Sequence, residues 1–263
     1  MRESHHAAAS HTSAATASVP PVRIAVFSDI HANLHALDAV LAAIDAESVD
    51  QLWCLGDLVG YGPRPNECVE IVRERATLSL CGNHDLAVLG TIDIDEFSGE
   101  AAEAARWTRR VLGESERSWL SELSPAAEVE GAELFHGSPR DPIWDYVLSE
   151  GAAQASLVAT HAPLILVGHS HVALALSWDG VLLGGGLAPA GTTAELADTR
   201  WLLNPGSVGQ PRDGDRRAAW LLLDLDAGRA SFRRVEYPIE LTQAEMAEAG
   251  LPPALAARLA HGI

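Results

Sequence analysis

Apolar residues in this chain come in short blocks, and most blocks end on a small cluster of polar residues. Val22 to Phe27 is apolar at nearly every position apart from Arg23, the pattern of a strand buried on both faces. Leu34, Leu37, Leu41 and Ile44 then recur at helical spacing behind Asn33, a good N-cap. Gln51 to Leu55 reads as a second strand, Glu67 to Arg75 as a second helix and Thr77 to Cys81 as a third strand. Gly60-Tyr61-Gly62-Pro63-Arg64-Pro65-Asn66 forms a loop between them. The order strand, helix, strand, helix, strand predicts an α/β sheet, a class that places its ligands at strand ends. No Gly-x-Gly-x-x-Gly follows the first strand, so a dinucleotide-binding fingerprint is absent.

Further along, Ser98 to Leu123 is helical and Ala-rich with a break at Gly113, and predicts a helical insertion over about 98–123. Such a segment serves as a lid, a dimer contact or a packed layer. Strands are expected at Glu133 to Phe135, Leu164 to Val167 and Val172 to Trp178, with a helix over Glu150 to Thr160. Residues 179–199 are rich in Gly and Ala and predict nothing definite. Ala218 to Leu225 and Ala230 to Tyr237 read as a hairpin around Asp226-Ala227-Gly228-Arg229. Two short helices close the chain, the second opened by Pro252-Pro253. The organisation expected is a tail over 1–20, disordered by its Ala, Ser, Thr and His content, one domain over 21–240 and a helical extension over 241–263.

Composition narrows the function classes. The 263 residues are 48% hydrophobic, enough for a normal core, and no apolar run reaches the roughly 18 residues of a membrane span. With 18 basic against 36 acidic residues the net charge is −18, which excludes a nonspecific nucleic-acid binder. A phosphate substrate would need a local positive centre, and bound cations could provide one. Cys54, Cys68 and Cys81 are odd in number and form no Cys-x-x-Cys pair, which fits buried thiols in a reducing cytosol. The tail lacks the apolar segment of a secretory signal, so the expected location is cytoplasmic.

The polar clusters carry the chemistry. Asp29 and His31 follow the first strand, Asp57 the second, and Asn83 and His84 the third; His136 follows a fourth, and His169 with His171 a fifth. Strand positions two apart share a face, so Asp29 and His31 are expected to aim at one point through strand alternation. Taken singly, an Asp after a strand is a turn or a cap and a loop His is polar surface. Taken together, five strand ends bearing carboxylate, amide and imidazole groups suit divalent metals.

The series Asp-x-His, Gly-Asp, Gly-Asn-His-Asp, His and Gly-His-x-His, in that order, resembles the calcineurin-like metallophosphoesterases over about residues 22–237. The resemblance implies a four-layer α/β/β/α sandwich with a dinuclear metal site at the strand ends. It implies one metal on Asp29, His31 and His171, a second on Asn83, His136 and His169, and Asp57 bridging both. Manganese is the expected ion, with Fe, Ni, Zn, Co or Mg as alternatives. A hydroxide shared by the metals would attack phosphorus, and His84 would give a hydrogen bond or proton to the phosphate or leaving oxygen. The expected substrates are small phosphodiesters or nucleotides. Monoester, phosphoprotein or dinucleoside polyphosphate hydrolysis and a non-catalytic protein-binding scaffold are the alternatives.

Two departures bear on substrate. The superfamily's protein Ser/Thr phosphatases carry Gly-Asp-x-Val-Asp-Arg-Gly, whereas this chain has Gly56-Asp57-Leu58-Val59-Gly60-Tyr61-Gly62. The acid that pairs with the catalytic histidine and the arginine that grips phosphate are therefore both missing. The chain looks most like a bacterial and archaeal small-phosphoesterase branch, to which its stretches from Tyr61 to Cys68 and from Asn204 to Arg212 are similar. Arg64, Arg140 and Arg212 either clamp a second phosphate or a nucleotide, or form surface ion pairs. Asp85 either orients His84 or caps the helix after it. Cys81 packs in the core or offers a reactive thiol.

Overall fold

In the computed structural model, which describes residues 22–129 and 131–263, the first apolar block becomes β1 (Arg23–Phe27). The tail over 1–20 lies outside the described residues. Asn33 caps α1 (Leu34–Asp45) by accepting a hydrogen bond from the Ala36 amide at 3.3 Å. β2 (Gln51–Cys54), α2 (Pro65–Arg75), β3 (Leu78–Ser79) and α3 (Asn83–Leu89) follow. After a 3₁₀ turn at Ile94–Glu96 come α4 (Gly99–Val111) and α5 (Glu114–Leu120), separated by Leu112 and Gly113. β4 (Ala126–Val129), β5 (Ala132–Phe135), α6 (Glu150–Ala159), β6 (Leu164–Val167) and β7 (Leu174–Trp178) build the second half. Then come β8 (Leu183–Leu187), β9 (Thr193–Glu195), β10 (Arg200–Asn204), β11 (Ala218–Asp224), β12 (Arg229–Val235), α7 (Ile239–Glu248) and α8 (Pro253–Leu259).

The strands form two six-stranded sheets, β3-β2-β1-β11-β12-β9 and β4-β5-β6-β10-β7-β8. β1, β2 and β3 run parallel, as do β5, β6 and β10, so the carboxyl ends of each parallel set share one rim of their sheet. Alternation along β1 explains the layers. Ala25 and Phe27 belong to the core beneath the helices, while Ile24 and Val26 face the second sheet. Leu55, Leu134, Leu166, Leu203, Leu221 and Leu223 join them in the layer between the sheets, each fully buried. Burying one such side chain is worth about 1.5–3 kcal/mol, so this layer holds the sheets together. On the far side, Ala153 and Leu157 of α6 pack on Ile165, Val167 and Leu202. The result is the expected order of helix, sheet, sheet, helix.

Hydropathy patterning does not foretell β4, β8, β9 or β10. β8 is an edge strand whose centre is Gly184-Gly185-Gly186, without the side chains that mark a strand. β10 ends at Asn204, just before Pro205, where turn residues mask a strand that lies between β6 and β7.

Candidate metal centre

After β1, β2 and β6 the chain turns left-handed and swings polar side chains toward one another. Asp29, His31, Ala32, Asp57, Tyr61, His169 and His171 all have φ between 49° and 62°, seven of the eight non-glycine residues at positive φ among the described residues. Such a residue costs on the order of 1–3 kcal/mol, and short polar side chains bear it best. Strand alternation therefore does not bring Asp29 and His31 together, contrary to expectation: both stand beyond β1, each swung inward by its own left-handed turn. Backbone bonds hold these turns in place, from the Asp29 amide to the Gly56 carbonyl and from the His31 amide to the Asp57 carbonyl, each 3.0 Å.

All seven expected ligands are buried, none more than 3% exposed. Asp29, His31, Asp57 and His171 offer ligand atoms within 4.8 Å of one another, and so do Asp57, His136 and His169. Asp57 belongs to both groups. Its Oδ1 accepts the His84 amide at 2.9 Å, while its Oδ2 has no hydrogen-bond partner and lies 3.6 Å from His31 Nε2 and 3.4 Å from His136 Nε2. Asn83 joins the second group through its Oδ1, 3.1 Å from His136 Nε2.

The imidazoles are oriented from behind. Nδ1 of His31 meets the Val59 carbonyl at 3.1 Å, Nδ1 of His136 the Leu55 carbonyl at 2.9 Å, and Nδ1 of His171 the Gln210 carbonyl at 2.6 Å. A carbonyl only accepts, so each Nδ1 carries a hydrogen, and a ring without a second proton turns an Nε2 lone pair inward. His31 and His171 are both held below the usual imidazole value, chiefly by burial, and are neutral at pH 7. Their Nε2 atoms nevertheless lie 3.0 Å apart. Two lone pairs facing at that distance repel, and a shared cation turns the contact into ligation. Asp29 Oδ1 and His169 Nε2 are likewise buried without partners, and the donor set is carboxylate, amide and imidazole. The residues fit divalent metal ions.

The remaining pKa values follow from burial and from Asp57. Burial opposes a charge on His136, but the neighbouring Asp57 carboxylate outweighs it and raises the group to about 9. Burial lowers His169 to about 3, with the His136 charge acting in the same sense. Asp57 stays well below the ordinary carboxylate range despite burial, because His136 and the other imidazoles surround it.

His84 follows Asn83 at the start of α3 and is buried among rings. Its centroid lies 4.4 Å from that of Tyr61, 4.9 Å from His31 and 4.7 Å from Phe97. Burial lowers it to about 4, so it is neutral at pH 7. Asp85 does not orient it. The Asp85 carboxylate accepts the amides of Leu58, Val59 and Gly82 at 3.2, 3.0 and 2.9 Å, which caps α3 and ties it to the loop after β2. Gly60 explains the missing partner acid, since a Cβ there would stand 2.5 Å from His84 Nδ1, and its φ of +87° disfavours any side chain. Cys81 is an inert core thiol, its Sγ donating to the Leu123 carbonyl and its pKa pushed up to about 12 by burial.

Several site residues escape sequence reasoning. Tyr146 stacks on His169 with centroids 3.9 Å apart, and Trp144 meets the same ring from 6.5 Å. Asn204 holds the Gly168 carbonyl and the Ser170 hydroxyl at 2.7 and 3.0 Å, and the Ser207 hydroxyl donates to the Asp29 carbonyl at 2.8 Å. Only the Asn204-Pro205-Gly206-Ser207 turn gave any signal for this group. His35 lies outside the cluster, 3.3 Å from Glu245.

Comparison with known proteins agrees with this geometry. Residues 22–228 match the model of the calcineurin-like phosphoesterase superfamily domain. An uncharacterized protein of Methanocaldococcus jannaschii is 39% identical over 244 residues, 91% of this chain and 98% of that protein. The crystal structure of a metallophosphoesterase from Sphaerobacter thermophilus superposes with a TM-score of 0.83 at 45% identity, covering 92% of this chain and 99% of that one. A symmetrical bis(5′-nucleosyl)-tetraphosphatase of Aliivibrio salmonicida is 41% identical over 59 residues, 20% of this chain and 22% of that protein.

Proposed function

Because the chain belongs to the calcineurin-like phosphoesterase superfamily, we propose that it hydrolyses small phosphodiesters or nucleotides with two divalent cations, manganese foremost. One ion would sit on Asp29, His31 and His171, the other on Asn83, His136 and His169, with Asp57 shared. The contact between His31 Nε2 and His171 Nε2, at 3.0 Å with both Nδ1 atoms bonded to carbonyls, carries this reading. The bound ions would neutralise phosphate oxygens and make water nucleophilic near neutral pH.

The chain's own residues supply position and hydrogen bonding. The amide of His84 fixes one Asp57 oxygen and leaves the other free between the two histidine groups. The neutral His84 ring stands beside the cluster and donates an N–H hydrogen bond to the phosphate or the departing oxygen. Tyr146 covers the outer face of His169, which keeps that ring oriented and partly screened from water. The short similarity to the tetraphosphatase makes nucleotide substrates the first to try.

Purified protein loaded with Mn should turn over an activated phosphodiester. His84→Ala should lower turnover by about 10²–10³-fold while retaining bound metal. Loaded wild-type protein that cleaves no phosphate ester would overturn the proposal, and stable co-purification of a partner with metal-free protein would point to a scaffold instead.

A further inference from the structure

The three loop arginines separate once the chain is folded. Arg64 is held by Glu245 at 2.8 Å and Glu67 at 3.1 Å, and Arg140 lies 3.6 Å from Asp145. Arg212 has no carboxylate partner among the described residues, and the adjacent Asp213 is taken by Arg234. Instead its guanidinium donates to Gln210 Oε1 at 2.7 Å and to the Tyr61 hydroxyl at 3.4 Å, and lies 5.9 Å from the Tyr61 ring centroid. Gln210 is buried and offers its carbonyl to His171, so one short segment places both a cluster imidazole and this cation. The Tyr61 ring in turn lies 4.6 Å from His31 and 4.4 Å from His84. Position 61 is where the superfamily's protein phosphatases carry an arginine. Here the aromatic ring occupies that place, and a guanidinium reaches over it from the loop after β10.

Behind this pair lies α8, whose Leu255 and Leu259 line a small cavity together with Tyr61 and Gln210. Arg258 of the same helix is engaged elsewhere, donating to an Ile263 oxygen at 2.5 Å. A guanidinium held beside the cluster by a neutral amide and a phenol keeps its charge open to a phosphate.

We propose that Arg212 forms a phosphate-binding subsite beside the metal-ligand cluster, selecting substrates that carry a second phosphoryl group. This rests on the phosphoesterase reading and specifies its substrate class. The cluster would take the phosphoryl group that is cleaved, and Arg212 the next one along a phosphate chain. Arg212 acts here as a specificity residue.

The test uses Mn-loaded full-length protein and its Arg212→Ala and Arg212→Lys variants. Calorimetry would compare ADP with AMP, which differ only by the second phosphoryl group. Arg212→Ala should weaken ADP binding by about tenfold or more and AMP binding by no more than roughly threefold, with Arg212→Lys in between. Its kcat/KM on a dinucleoside tetraphosphate should fall about tenfold further than on bis(p-nitrophenyl) phosphate, mainly through KM. Equal losses on ADP and AMP, or no loss on either, would overturn the subsite. Wild-type protein that cleaves neither ester would overturn the phosphoesterase reading, while the ADP-against-AMP comparison would still judge Arg212.

Discussion

The layer between the two sheets and the ligand cluster at its rim are equally buried and opposite in chemistry. Leu134, Leu166, Leu203 and Leu223 are fully buried in the layer, as are Asp29, Asp57 and His136 in the cluster. Burial of the first set drives folding; burial of the second opposes it and adds seven left-handed residues. The layer is complete as it stands. The cluster leaves Asp29 Oδ1, Asp57 Oδ2 and His169 Nε2 unpartnered, all of which divalent cations would satisfy. Stability and chemistry thus occupy neighbouring parts of the same strands.

Substitutions in the two regions should fail in different ways. Asp57→Asn removes the charge common to both ligand groups. It should cut turnover by about 10³-fold or more and abolish the rise in Tm on adding Mn, while circular dichroism stays native. Substantial residual turnover would break the contrast. Leu223→Ala, opposite Ile24 on β1, should cost about 2–5 kcal/mol in urea unfolding but keep turnover per folded molecule. An equal loss of specific activity would show that the two regions are mechanically one.

The smallest effect concerns protons. In the metal-free protein burial opposes the His136 charge, but Asp57 holds the group at about 9, above its unfolded value of 6.5. That pairing is fully present below the unfolded value and is lost as pH rises through the folded one. A metal must displace this proton, so affinity at the His136 group should rise up to about tenfold per unit between about pH 7 and 9, then level. Calorimetric Mn titrations that show no pH dependence over this range would mean that His136 is already deprotonated.

Much of this was legible along the chain. Apolar blocks as short as Leu164 to Val167 are too short for ordinary helices and read as buried strands, and each is followed by residues whose side chains suit divalent metals. The clusters after β1, β2, β3, β5 and β6 therefore stood out by residue type and place. β8 was hidden because its three glycines bury little, and Tyr146 and Trp144 because aromatic residues in a loop look like any exposed ring. Asp85 left two roles open, since both need only a carboxylate one residue after His84; three backbone amides from two segments decide for the cap.

The sequence by itself determined the ligand types, their order and their position after strands, because hydrophobic period and turn chemistry act over a few residues. Tertiary structure alone decided which oxygen of Asp57 stands free and that His31 meets His171, 140 positions away. It also decided that Arg212 lies over Tyr61 beside the cluster, whereas Arg64 and Arg140 are drawn to carboxylates. Those relations depend on sheet order and on the angle at which each left-handed turn leaves its strand, and both are set by packing between distant segments.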